Sequence, residues 1–174
     1  MITVITGPMF GGKSKKLIEI YNSIEDKSQL MAFKPSKDTR EFSYIKSRDY
    51  DTKIKSIVIN KFEDIYEYIN EDTSIILIDE VQFVTGKYNV IQNLSIYRNI
   101  DFYISGLNQT SEQEPFGSMP NILAFADNIE LVRGRCSCGK EARYTIYDKP
   151  KTEEILIGSK GYRCVCRECL TKED

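Results

Sequence analysis

The apolar positions of this chain come in short clusters whose spacing changes from segment to segment. Residues 2–6 (Ile-Thr-Val-Ile-Thr) are β-branched and apolar, which predicts a short buried strand. Residues 7–12 are glycine-rich and predict a turn. From Lys13 to about Glu25, Leu17, Ile20, Tyr21 and Ile24 recur at helical spacing and predict a helix with one apolar face. Leu30 to Phe33 predicts a second strand, ended by Lys34-Pro35. Ser36 to Lys55 is polar, charged and aperiodic, so a long loop is expected there, and loops of that length often carry function. Ser56 to Ile59 is strand-like, and Phe62, Ile65 and Ile69 mark one face of a helix. Ser74 to Ile78 is the strongest buried strand, and Val90, Leu94 and Tyr97 predict another helix. Phe102 to Ser105 is a strand, residues 106–117 are irregular, Ile122 to Ala126 is a short helical stretch, and Ile129 to Val132 is the last strand.

Strands alternating with helices imply an α/β fold with a parallel sheet covered on both faces. The alternation breaks at Arg133, and all five cysteines lie beyond it, at positions 136, 138, 164, 166 and 169. The expected organisation is an α/β domain over residues 1–133 and a small metal-stapled unit over residues 134–174.

Composition narrows the chemistry. The 174 residues include no histidine, which excludes Ser–His and Cys–His nucleophile pairs and imidazole metal ligands. Acid–base work falls to Asp, Glu, Lys, Tyr or Cys, and any metal to thiolates or oxygens. With 24 basic and 26 acidic residues the charge is balanced, which argues against a general nucleic-acid binder. No apolar run approaches the roughly 20 residues that span a bilayer. The start, Met1 to Ile5, lacks the pattern of a signal peptide, so a cytoplasmic location is expected, where five cysteines do not suggest disulfides.

Gly7-Pro8-Met9-Phe10-Gly11-Gly12-Lys13-Ser14 matches the G-x-x-x-x-G-K-[ST] phosphate loop and lies between a predicted strand and helix. Glycines let backbone N–H groups turn toward phosphate oxygens, and the helix start presents its positive end to the same anion. Lys13 adds a charge at the β- and γ-phosphates, and the Ser14 hydroxyl can ligate Mg²⁺. Asp79 and Glu80 follow the apolar strand 75–78. Asp79 is placed to hold Mg²⁺, and Glu80, one residue further, to reach an acceptor hydroxyl and take its proton. Four thiolates in two close pairs suit a closed tetrahedral Zn²⁺ site. The pairs are Cys136-Ser137-Cys138 and Cys166-Arg167-Glu168-Cys169. Cys164 is left over, either a small buried residue or a substitute for Cys166.

Further words follow in order: Lys34-Pro35-Ser36-Lys37-Asp38-Thr39-Arg40, Asp79-Glu80-Val81-Gln82-Phe83, Ser105-Gly106-Leu107 and Pro115-Phe116-Gly117. Together with the phosphate loop and the terminal cysteines they resemble the type II thymidine kinases over nearly the whole chain. The resemblance implies a RecA-like core with a small zinc-bearing lasso domain, and transfer of the ATP γ-phosphate to the 5′-hydroxyl of thymidine with Mg²⁺, for DNA precursor salvage. By motif it assigns catalysis to Glu80, Lys13 and Arg40. Nucleotide and Mg²⁺ contacts go to Gly7, Pro8, Met9, Phe10, Gly11, Gly12, Lys13, Ser14, Asp38, Asp79 and Gln82. The nucleoside goes to Met9, Phe83, Leu107, Thr145, Ile157, Gly158 and Tyr162, and a structural zinc to Cys136, Cys138, Cys166 and Cys169. It also implies a homotetramer and feedback binding of thymidine triphosphate. The chain departs from the family in two places. Asn108 and Ser111 stand where an Asp and a base-closing Phe are usual, and the first cysteine pair is one residue shorter. Two other readings are a deoxynucleoside kinase of broader pyrimidine choice, and a RecA-like ATPase that binds nucleic acid through a zinc ribbon.

Overall fold

The computed structural model of the chain describes residues 1–38, 43–47, 51–148 and 158–172. Six strands form one sheet: β1 (Ile2–Thr6), β2 (Leu30–Pro35), β5 (Ile57–Ile59), β6 (Ile75–Ile78), β7 (Asp101–Gly106) and β8 (Asn128–Leu131). Their order is β5-β2-β6-β7-β1-β8, and every pairing is parallel. The α/β expectation therefore holds. Alternation along the strands sends side chains to two cores. Val4, Phe33, Ile76, Ile78, Phe102 and Ile104 share one with helices α2 (Asn89–Arg98) and α3 (Met119–Ala124). Ile5, Ala32 and Leu77 share the other with Leu17 and Ile18 of helix α1 (Lys13–Ser23).

Three elements differ from the sequence reading. Residues within the expected loop 36–55 form an antiparallel hairpin of β3 (Tyr44–Lys46) and β4 (Lys53–Lys55). Each strand is three residues long and buries a single isoleucine, Ile45 against Ile54, between exposed flanks. One inward residue per strand leaves no period to detect. The stretch marked by Phe62, Ile65 and Ile69 is a 3₁₀ helix over Phe62–Glu67, which brings Phe62 and Ile65 inward at the three-residue spacing of that helix. In α2 the buried residues are Val90, Ile91 and Leu94, and Tyr97 is 79% exposed, so its ring is not part of the core face.

Beyond β8 the chain forms two small antiparallel pairs, β9 (Gly134–Arg135) with β10 (Glu141–Ala142), and β11 (Tyr144–Tyr147) with β12 (Tyr162–Val165). A one-turn helix, α4 (Arg167–Leu170), follows. Cys136, Ala142, Ile146, Cys164, Val165 and Cys166 make a third, smaller core. Among the described residues no helix is long and apolar enough to cross a membrane.

Candidate active site and four-cysteine centre

Parallel strands bring the carboxyl ends of β1, β6 and β7 to one edge of the sheet, where open α/β sheets bind ligands. The phosphate loop leaves β1 there. Gly7, at φ 148°, has the Val132 carbonyl 2.4 Å from where a Cβ would stand, so no larger residue fits against β8. Gly12, at φ 86°, starts α1 with no side-chain cap, and the start of a helix presents its positive end to an anion. Lys13 is buried and lies back across the loop, its Nζ donating to the carbonyls of Pro8 (2.8 Å) and Gly7 (3.3 Å).

The Ser14 hydroxyl donates to Asp79 Oδ2 at 2.9 Å, joining α1 to the end of β6. Asp79 is buried, and its Oδ1 accepts the Glu80 N–H (3.0 Å) and the Ser105 hydroxyl at the end of β7. Ser105 carried no role in the sequence reading. The β6–β7 register, which pairs Ile78 with Ile104, is the signal that sets it beside Asp79. Glu80 adopts φ 52° and ψ 40°, a left-handed conformation that non-glycine residues hold at a cost of roughly 1–3 kcal/mol, and mostly at functional sites. Its carboxylate is held by Gln82, whose Nε2 donates to Oε2 at 2.6 Å. The Leu107 N–H donates to Gln82 Oε1 at 3.0 Å, so the protein engages both ends of that amide.

Phe83 stacks edge-on against Phe116, with centroids 5.3 Å apart and planes at 85°. Gly117, at φ 50°, passes so close to the Gln82 carbonyl that a Cβ would meet it at 1.9 Å. The Ser118 hydroxyl donates to the Val81 carbonyl at 2.6 Å. Loop 107–117 is thereby fastened at both ends to the segment carrying Glu80.

Strand β11 meets the same place at Thr145. The Met9 N–H donates to Thr145 Oγ1 at 2.9 Å. Thr145 and Tyr147 share a face of β11, and Tyr147 stacks on Tyr162 of β12 with centroids 4.7 Å apart. Gly158, at φ 117°, has nothing within 4 Å of where a Cβ would stand among the described residues. Asp38 pairs with Lys34 at 3.0 Å, the two being 6% and 1% exposed, and Lys34 also donates to the Tyr44 carbonyl at 3.3 Å. Burial at that level makes Lys34 a structural tie between β2 and the hairpin, which the sequence reading passed over. Arg40 and Ile157 lie outside the described residues.

The sulfurs of Cys136, Cys138, Cys166 and Cys169 all lie within 4.8 Å of one another and could hold a metal ion. Cys138 and Cys166 approach to 3.6 Å, close to the roughly 3.8 Å edge of a tetrahedron with 2.3 Å Zn–S bonds. The shortened first pair works because residues 136–139 form a tight turn. Cys136 N–H donates to the Lys140 carbonyl and Gly139 N–H to the Cys136 carbonyl, both at 2.9 Å. Cys166 caps α4, and Cys169 lies one turn inside it. Backbone N–H groups of Cys138 and Cys166 draw the Cys136 thiol down to about 6. The Cys169 thiol, sharing its hydrogen with Cys138, Cys136 and Cys166, is pushed up to about 12. Cys164 stands apart: its thiol donates to the Arg135 carbonyl at 3.4 Å, and burial raises its pKa. Four soft donors without a water-bearing position fit zinc in a structural role.

The sequence model of the thymidine kinase family matches residues 1–170. The thymidine kinase of Onion yellows phytoplasma (strain OY-M) is 34% identical over 186 aligned positions, covering 99% of this chain and 88% of that protein. The thymidine kinase of Ureaplasma urealyticum serovar 10 (strain ATCC 33699 / Western) is 34% identical over 180 positions, covering 95% and 80%. A phosphate loop joined through Ser14 to the carboxylate at the end of β6, a four-cysteine centre, and this full-length similarity lead to one conclusion: the chain belongs to the thymidine kinase family.

Proposed function

We propose that the chain transfers the γ-phosphoryl group of ATP to the 5′-hydroxyl of thymidine, giving thymidine monophosphate for DNA precursor salvage. One observation carries the reading. The bond from Ser14 to Asp79 and the contiguous Glu80 bring the phosphate-side and acceptor-side groups of a phosphoryl transfer within one hydrogen-bonded cluster. Family membership supports ATP and thymidine as the pair of substrates.

In this mechanism the phosphates lie in the loop 7–14, against the positive end of α1. Lys13 leaves the Gly7 and Pro8 carbonyls for the β- and γ-phosphates. Mg²⁺, when bound, neutralises charge on the phosphate oxygens. Ser14 and Asp79 are the residues that would hold it. Glu80 accepts the 5′-hydroxyl proton as the nucleophile attacks in line, a contribution of roughly 10²–10⁴ in rate. Arg40 and Asp38 serve the phosphate side, and Met9, Phe83, Leu107, Thr145, Ile157, Gly158 and Tyr162 the nucleoside. Zinc on Cys136, Cys138, Cys166 and Cys169 fastens the second unit, taken as residues 134–174, so that β11 stays against the phosphate loop. A cytoplasmic homotetramer with feedback binding of thymidine triphosphate completes the proposal and rests on the family resemblance.

The test is a nucleoside panel with ATP and Mg²⁺, run on the wild type and on Glu80→Gln. Phosphate should appear on thymidine, and Glu80→Gln should lose transfer by at least a hundredfold while still binding ATP. Near-normal turnover in the variant removes Glu80 as the base, and phosphorylation of no nucleoside removes the kinase reading.

A further inference from the structure

Ser111 stands where the family resemblance supplies an aromatic wall for the base, and its short hydroxyl lies 3.3 Å from its own neighbour, the Glu112 carboxylate. A different side chain of the same loop is arranged in an unusual way. Loop 107–117 folds as a narrow hairpin, bridged between Gln109 and Pro115 and closed by Thr110 N–H to the Glu114 carbonyl at 2.9 Å. Gln113, near its tip, adopts a left-handed φ of 66°, costly for any residue with a side chain. In that conformation its Nε2 donates to the Ser111 carbonyl (2.6 Å) and reaches the Thr145 carbonyl (3.4 Å). Its Oε1 is buried and accepts no hydrogen bond among the described residues. Because Thr145 Oγ1 accepts the Met9 N–H, the amide lies beside the residue that joins the phosphate loop to β11.

A strained backbone and a buried acceptor without a donor both destabilise the unliganded chain. Their coincidence on one side chain, beside Thr145 and on the loop tied to Gln82, marks a group shaped for a ligand. We propose that Gln113 is a specificity-determining residue, its Oε1 accepting a hydrogen bond from the nucleoside in place of the missing aromatic wall. The inference rests on the kinase reading above. Apart from the reacting 5′-hydroxyl, thymidine has two donors, the base N3–H and the 3′-hydroxyl. Both offer the same chemistry, and analogues separate them.

The experiment measures kcat and KM on the full-length, metal-loaded protein with thymidine, N3-methylthymidine and 3′-deoxythymidine, for the wild type and Gln113→Gly. Glycine relieves the left-handed strain, so the variant should melt no lower than the wild type. A second variant, Gln113→Met, keeps the side-chain volume. The wild type should use one analogue about tenfold less well than thymidine or worse, which identifies the donor. In both variants the thymidine KM should rise by about tenfold with the ATP KM unmoved, and the penalty on that analogue should shrink toward the small value set by bulk alone. Wild-type kinetics that treat all three nucleosides alike overturn the proposal, as do variants with an unchanged thymidine KM and unchanged discrimination. A wild type that phosphorylates no nucleoside overturns the kinase reading, and this inference with it; the other two outcomes overturn this inference alone.

Discussion

Replacing Gln82 by methionine keeps the volume of the side chain and deletes both hydrogen bonds of its amide. Gln82 is 3% exposed and Glu80 8%, so water does not screen or replace these bonds. The bond to the Glu80 carboxylate has a charged acceptor and contributes about 1.5–3 kcal/mol, and the bond from Leu107 N–H about 0.5–1.5 kcal/mol. The sum, about 3 kcal/mol, corresponds to a fall in Tm of roughly 6–12 °C for a chain of this length. The Glu80 bond alone acts on the reacting geometry. Its loss, at 1.36 kcal/mol per decade, lowers kcat roughly 10- to 100-fold. The amide keeps a second Nε2–H and a second Oε1 lone pair, but its bonds to Glu80 and Leu107 fix its orientation, so the ATP KM should stay where it is. This departs from the nucleotide contact that family resemblance assigns to Gln82. Circular-dichroism melting and steady-state phosphate transfer at saturating substrates measure the two effects separately. A variant that melts lower but keeps kcat within twofold refutes the positioning of Glu80 and leaves Gln82 as a tie between loops. A variant unchanged in both refutes the bonding pattern, and a raised ATP KM with normal kcat restores the nucleotide contact.

Two further outcomes are expected. Metal analysis of the purified chain should find one zinc, and Cys166→Ser should lose it and loosen the second unit to proteolysis, because such a site contributes roughly 10–16 kcal/mol where the core is small. A metal-free wild type with an intact second unit refutes the staple. Asp64 accepts the N–H groups of Lys61 and Asn60, which hold its carboxyl below the ordinary 3.8. Its stabilisation is therefore present above the unfolded value and lost as pH falls through the lower folded one. Asp64→Asn should lower Tm at pH 7, with the difference from wild type closing below about pH 4; a difference that persists at low pH refutes the assignment.

What could be read from the chain was local. The phosphate loop, the carboxylates after the strand Ile75–Ile78 and the close cysteine pairs are each fixed by neighbours a few positions away, and their spacing expresses the chemistry directly. The roles of Ser105, Lys34 and Gln113 depend on strand register and on bonds between distant segments, such as Gln113 to Thr145, 32 positions along the chain. No period encodes those. The β3–β4 pair has no such signal, because three-residue strands with one inward isoleucine carry no alternation. Cys164 could not be told from Cys166 by spacing. Pairing decides it: Cys164 is opposite Thr145 within the β11–β12 ladder and bonds the Arg135 carbonyl, while Cys166 lies just past the strand.

Under the proposed site assignment, the bond between Met9 N–H and Thr145 Oγ1 makes the two substrates thermodynamic neighbours. In that assignment Met9 belongs to the phosphate loop, and Thr145, on β11, to the nucleoside side. Any ligand that tightens this seam from one side lowers the ordering cost for the ligand on the other, and by linkage each must alter the affinity of its partner by the same factor. Under the proposed assignment, binding synergy between ATP and thymidine, equal in size whichever is varied, is the solution signature expected of that seam.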